Sequence, residues 1–318
     1  MLQYTQNTCL LKLCLLLCLS SLSGGIVAQQ LSTFTQYRDL QTIINPGAIP
    51  IDYFVYNNEP TLLLGGTWRE QWNKSGIEGA PSTKILSVDF LPPDREGVSL
   101  FAGGHLLLDQ NGIFETTGGY GKLGAVMDLY TGKVSLGLSL GFVQNRLQFR
   151  PGANPGAIED EFSGISPEVG VGVFYKHDFQ RRSGFFYAGL SVPQVIGFSN
   201  TLESVDSSII INQVQHLYGT LGMVRYRLDD VAFEPSIWIK YVPNTPLTVD
   251  INVRFQLADQ FSIMGGYSIG SESIQLSFNL LLKWDNALLK FGLGFSPSFA
   301  NYGATFGNTF EPLIQYIY

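Results

Sequence analysis

From Leu247 to Leu257 apolar and polar residues alternate without interruption. Leu247, Val249, Ile251, Val253, Phe255 and Leu257 fall on one side; Thr248, Asp250, Asn252, Arg254 and Gln256 fall on the other. A period of two sorts these sets onto opposite faces of a β-strand. Eleven residues exceed the usual strand of a soluble sheet but match what a tilted strand needs to cross a bilayer. The pattern recurs: Val134, Leu136, Leu138, Leu140 and Phe142 interleave with Ser135, Gly137, Ser139 and Gly141, and Leu289, Phe291, Leu293 and Phe295 with Lys290, Gly292 and Gly294. One face is continuously apolar and the other small or polar, the pattern of a transmembrane β-barrel. Val249, Ile251, Val253 and Phe255 are therefore expected to meet lipid. Asp250, Asn252 and Arg254 are expected to face the lumen. There Glu234 and Lys240 of the preceding strand join them, because charges that are costly on the lipid face can pair inside.

The amino terminus reads as a leader rather than as part of the fold. Behind Lys12 lies a leucine-rich run, then small residues ending at Ala28, which is the order of a secretory signal peptide cleaved between Ala28 and Gln29. Lipoprotein processing at Cys18 is the other reading of this leader, but Leu17 is bulky where a small residue is wanted. All three cysteines (Cys9, Cys14, Cys18) lie in the leader, so the mature chain offers no disulfide and no thiolate ligand. The leader's one charged residue is Lys12, so its removal takes the formal net charge from −7 to −8. That balance argues against a nucleic-acid partner. Downstream no stretch approaches the length of a helical membrane span. A secreted β-sandwich is the competing architecture, but its strands would be shorter.

Fourteen strand-like segments can be placed: 61–68, 84–90, 98–108, 113–128, 133–147, 166–176, 183–190, 214–227, 231–241, 247–257, 260–269, 272–283, 287–296 and 309–318. Every second connection can be long (69–83, 148–165, 191–213, 297–308), whereas those between are short throughout. Outer-membrane barrels have long extracellular loops and short periplasmic turns. An even strand count then puts both termini on the periplasmic side. The mature chain is thus expected to divide into residues 29–60, a periplasmic segment interrupted by Pro46, Pro50 and Pro60 and tucked at most into the lumen mouth, and the barrel proper, 61–318. Trp68, Trp72, Tyr130, Tyr175, Tyr241 and Trp284 near strand ends are candidates for the interfacial aromatic girdles. Phe310, Ile314, Tyr316 and Tyr318 alternate toward a terminal aromatic, which resembles the carboxy-terminal signal of barrels inserted into the outer membrane.

Catalytic and cofactor motifs do not fit this frame. Gly119, Gly121 and Gly124 spell a dinucleotide fingerprint, but such a run must leave a strand and open a helix, and here it lies inside an expected strand. Gly137-x-Ser139-x-Gly141 and Gly266-x-Ser268-x-Gly270 lack the strand-to-helix turn of a nucleophile elbow. His105, His177 and His216 have no metal-ligand spacing. No enzyme activity, no cofactor and no metal are expected.

Several short motifs, in order, resemble the PorP/SprF family of type IX secretion and gliding-motility membrane proteins. Phe34, Gln36 and Tyr37 followed by Asn45 and Pro46 look like its opening. Arg69, Gln71 and Trp72, then Ala80, Pro81 and Thr83 leading into Ser87 and Asp89, look like its second block. Pro235, Lys240 and Tyr241, then Pro246 and Leu247 with Asp250 and Asn252, look like its third. The resemblance implies an outer-membrane barrel serving a secretion machine: type IX components in the periplasm as partners, and export or surface anchoring of an adhesin-type protein carrying a C-terminal sorting domain. Asn45, Pro46, Arg69 and Trp72 are the candidate partner-binding or interfacial residues on that basis. A passive porin or hydrophobic-solute channel is the alternative, since alternation alone does not say what passes through a barrel.

Overall fold

The computed structural model describes residues 34–50, 61–72, 79–91, 97–149, 160–179, 183–196, 199–204, 208–212, 214–227, 231–257, 260–297 and 307–318. The leader and its cleavage site lie outside these residues. Residues 34–50 form turns around one short helix, α1 (Gln41–Ile44). Seven strands follow: β1 (Leu62–Glu70), β2 (Ser82–Phe90), β3 (Val98–Asn111), β4 (Phe114–Leu129), β5 (Gly132–Phe149), β6 (Asp160–Asp178) and β7 (Gly184–Val192). A hairpin of β8 (Ser199–Glu203) and β9 (Ser208–Asn212) precedes seven more. These are β10 (Leu217–Arg227), β11 (Val231–Tyr241), β12 (Thr248–Leu257), β13 (Phe261–Ile269), β14 (Ser273–Trp284), β15 (Ala287–Ser296) and β16 (Thr309–Ile317).

Fourteen of these strands close into one antiparallel barrel, with β16 paired back onto β1 through Leu63 opposite Ile317. This is the expected strand set. No helix among the described residues is long and apolar enough to cross a membrane, so the crossing elements are strands. The outward face follows the period-two pattern. Leu136, Leu138, Leu140 and Phe142 stand exposed on β5, and Ile251 and Phe255 on β12, while Asp250, Asn252 and Arg254 between them are buried. Val253 faces outward near the middle of β12. Val253→Arg should therefore cost roughly 2–4 kcal/mol in a bilayer, against about 0–1 for Leu257→Arg at the strand end. Urea titration of both variants refolded into liposomes measures the difference, and equal midpoints would remove Val253 from the lipid face.

Two connections differ from expectation. The strands β5 and β6 run for 18 and 19 residues. The nine-residue β7 reaches only Val171–Asp178 of β6, so the first part of β6 pairs with β5 and stands clear of β7. Residues 148–149 and 160–165 of the expected connection are thus strand. The expected connection 191–213 holds the β8–β9 hairpin, which joins β6 at Ser163 opposite Glu203. Beyond the bilayer a ladder needs no apolar outer face, so the alternation that marks a membrane strand fades while the hydrogen bonding continues.

A barrel of about eight strands can be filled by its own side chains; a wider one needs something else inside. Here residues 34–49 supply it. Ala48 and Ile49 pack with Phe101, Val126, Phe174 and Phe185, and Phe34, Tyr37, Leu40 and Ile44 pack with Ile85, Tyr218, Trp238 and Leu313. The segment lies through the lumen, well past the mouth where the sequence suggested it would stop. Its prolines and lack of periodicity betray that it is not a strand, but no local signal says how deep it goes.

Candidate functional site

The interior is organised around carboxylates on strands that face the plug. Register puts Glu234 of β11 directly opposite Arg254 of β12, the geometry in which opposite charges on neighbouring strands meet. Arg254 Nη2 lies 2.5 Å from Glu234 Oε2, and Tyr187 donates its hydroxyl to Glu234 Oε1 at 2.7 Å. From the plug, Arg38 donates through Nε to the same carboxylate. The plug's Asp39 in turn receives Lys290 Nζ at 2.5 Å and lies 3.7 Å from Arg254 Nη1. Two plug charges are thereby exchanged for three wall charges in a buried chain. Burying so many ions contributes little net stability, but each becomes costly once its partner is missing.

A second lock lies lower in the lumen. Lys122 Nζ sits 2.5 Å from Asp89 Oδ1 and donates to the Thr42 carbonyl at 2.7 Å, while the Thr42 hydroxyl donates to Asp89 Oδ2 at 2.7 Å. At the upper end Glu311 accepts the backbone N–H groups of Thr35 and Gln36 at 2.7 and 3.0 Å. Tyr37 stacks on Trp238 with ring centroids 5.0 Å apart and donates to Ser236 Oγ at 2.6 Å.

Asn45 and Pro46 are held inside the wall. Asn45 donates to the Val173 carbonyl at 3.0 Å and accepts the Gly47 N–H at 2.8 Å. Side chains at Gly137 and Gly172 would collide with the Pro46 carbonyl and the Asn45 carboxamide, so these two wall glycines form the recess that receives the turn. The remaining lumen candidates are placed as follows. Lys240 pairs with Asp250 at 2.8 Å, Ser268 also donates to Asp250, at 2.5 Å, and Asn252 is buried against Gly266.

Arg69 and Trp72 come together at the mouth on the long-connection side. Arg69 is buried on the lumen face with Nε 3.8 Å from Glu311 Oε2, whereas Trp72 is exposed and has a left-handed backbone (φ 59°). Both line a vestibule of about 360 Å³ with Phe34, Lys240, Gln275 and Gly307. Among the described residues no three His, Cys, Asp or Glu side chains gather as a metal site would require. Gly119, Gly121 and Gly124 all lie within β4.

Sequence reasoning placed Glu234 in the lumen but missed Glu311 and missed that both hold the plug, although a signal existed. Phe-Glu-Pro occurs at 233–235 and again at 310–312. Proline has no N–H to give a ladder. The β1–β16 register skips from Leu313 to Phe310, and the β10–β11 register from Ser236 to Phe233. In each case the residue before the proline is the lumen carboxylate that holds the plug.

Residues 26–316 match the family described as type IX secretion system membrane protein PorP/SprF. The chain belongs to that family. No curated protein matches it. Among solved structures it is similar in fold to the Ralstonia pickettii toluene transporter TbuX (TM-score 0.56, 10% identity, 87% of this chain and 92% of that one). It is similar also to a Pseudomonas aeruginosa FadL homologue (TM-score 0.51, 6% identity, 86% and 91%) and to the Pseudomonas putida toluene transporter TodX (TM-score 0.50, 9% identity, 90% and 94%). These likenesses establish a barrel of the outer-membrane kind and nothing about cargo. Membership makes the chain a membrane component associated with the type IX machinery. It also gives the sequence motifs a physical content. Phe34, Gln36, Tyr37, Asn45 and Pro46 are plug residues, Asp89 is a partner of the plug in the wall, Asp250 ties neighbouring wall strands together, and Arg69 with Trp72 frames the vestibule.

Proposed function

We propose that this PorP/SprF protein is a closed outer-membrane anchor of the type IX apparatus, supporting export or surface anchoring of a secreted adhesin-type protein. The observation that carries this reading is the filled lumen: a segment tied by buried ion pairs to β11, β12 and β15 and by hydrogen bonds to β2 and β4 leaves a barrel suited to holding partners at its two ends. On this reading the short-turn end meets periplasmic type IX components. The vestibule, with Arg69 and Trp72 at its rim, meets an exported protein bearing a C-terminal sorting domain. The fold is shared with toluene transporters, so a channel for small solutes is the competing reading, and it requires a path that the plug occupies.

Affinity purification from native membranes tests the proposal, with planar-bilayer recording of the same preparation. The expected result is stable copurification of a large secreted protein or of periplasmic machinery, weakened by Trp72→Ala, and no steady conductance. A solute-selective pore that purifies alone would overturn it.

A further inference from the structure

The vestibule is polar where ligand pockets are mostly apolar. Its volume of about 360 Å³ falls within the ~300–1,000 Å³ of small-ligand pockets. Its lining, however, is made of hydroxyls from Thr83, Thr248 and Ser268 and carboxamides from Gln71, Asn111 and Gln275. A hydrocarbon would leave these groups without partners once it drove water out. Nor is the lining set up for an anion. Arg69 faces Glu311 at 3.8 Å and Lys240 faces Asp250 at 2.8 Å, so both cations already answer to carboxylates of the wall. Phosphates and carboxylates are held by cations that the site can spare for them.

What this lining suits is a neutral ligand that donates and accepts hydrogen bonds with the same groups, as a hydroxyl does. Gln275 points to it most directly. The side chain is 7% exposed, and its Nε2 donates to Asp250 Oδ2 at 3.2 Å, which fixes which end of the carboxamide is which. Its Oε1 is buried and has no hydrogen-bond partner among the described residues, a state that buried acceptors rarely keep. At the rim Trp72 is exposed and offers an indole face on which the C–H side of a sugar ring can lie. A peptide strand would instead be read through backbone groups at a sheet edge, whereas β1 is paired on both sides as far as Glu70. We infer that the vestibule binds a neutral saccharide, with Trp72 as its platform and Gln275 as a buried acceptor. The sugar can come as a free oligosaccharide or as a glycan carried by an exported protein. The saccharide site rests on the vestibule alone and does not require the anchoring role.

The test is an array of neutral and acidic oligosaccharides, followed by calorimetric titration of the best binder. The full protein is kept in a detergent without a sugar headgroup, and heat-modifiable gel mobility confirms the barrel for every variant. The expected result is binding of at least one neutral oligosaccharide. Trp72→Ala and Gln275→Met should each weaken it about tenfold. Trp72→Phe, which keeps an aromatic platform, should largely restore it, and Trp68→Ala, exposed on the outer face of β1, should change nothing. Should Gln275→Met fail to fold, the comparison of Trp72→Ala with Trp72→Phe decides alone. A folded protein that binds no member of the array, or only acidic ones, overturns the inference. So does neutral binding that Trp72→Ala leaves intact. Displacement of a copurified secreted protein by the same neutral oligosaccharide would show that the sugar is carried by that protein; binding without displacement would assign the site to free saccharide. Copurification that Trp72→Ala abolishes, in a protein that binds no saccharide, would mean that the vestibule reads polypeptide. That result overturns the saccharide site and leaves the anchor standing.

Discussion

Deleting residues 34–49 turns an electrically silent barrel into a conducting one. Fourteen strands enclose more space than their own side chains fill, and the deleted residues supply the apolar packing and the polar ties that close it. The deletion also strands Glu234, Lys290, Asp89 and Lys122 without their plug contacts. In an emptied lumen water reaches those groups, so the penalty for an unpaired buried charge falls away. Planar-bilayer recording of refolded protein, with heat-modifiable gel mobility confirming the barrel, reads the outcome. A folded deletion variant that stays silent would mean that something other than this segment closes the lumen.

The second large effect is on stability. Glu234→Ala removes the carboxylate that both Arg38 and Arg254 engage, so two buried guanidinium groups lose their shared acceptor. Removing one partner of a buried pair costs about 3–5 kcal/mol, far more than the intact pair contributes. Glu203→Ala, at an exposed carboxylate, should stay within about 0.5 kcal/mol of the parent. Urea midpoints of the two variants in liposomes give the comparison. A Glu234→Ala protein as stable as Glu203→Ala would show that the arginines find water or another acceptor, and that the plug is not locked at this point.

How much of this was legible in the sequence differs between wall and plug. Alternation along β5, β12 and β15 was enough for the barrel, its strand number and the inward direction of Asp250, Asn252 and Arg254. A membrane strand must be apolar on every second residue, and that demand is local. Strand ends above the bilayer were not legible, because water relaxes the demand there and β5, β6, β8 and β9 carry no strict pattern. The motif residues Asn45 and Pro46 stood out but looked like partner contacts. They fill a recess made by Gly137 and Gly172, more than ninety residues away. The sequence alone determined that this chain crosses a membrane as strands and keeps its charges inside. Which charges meet, and that the amino-terminal segment runs down through the lumen to meet them, was decided only by tertiary structure. Pairing across a closed barrel depends on register and on closure of β16 onto β1, and neither leaves a periodic trace in the residues it brings together.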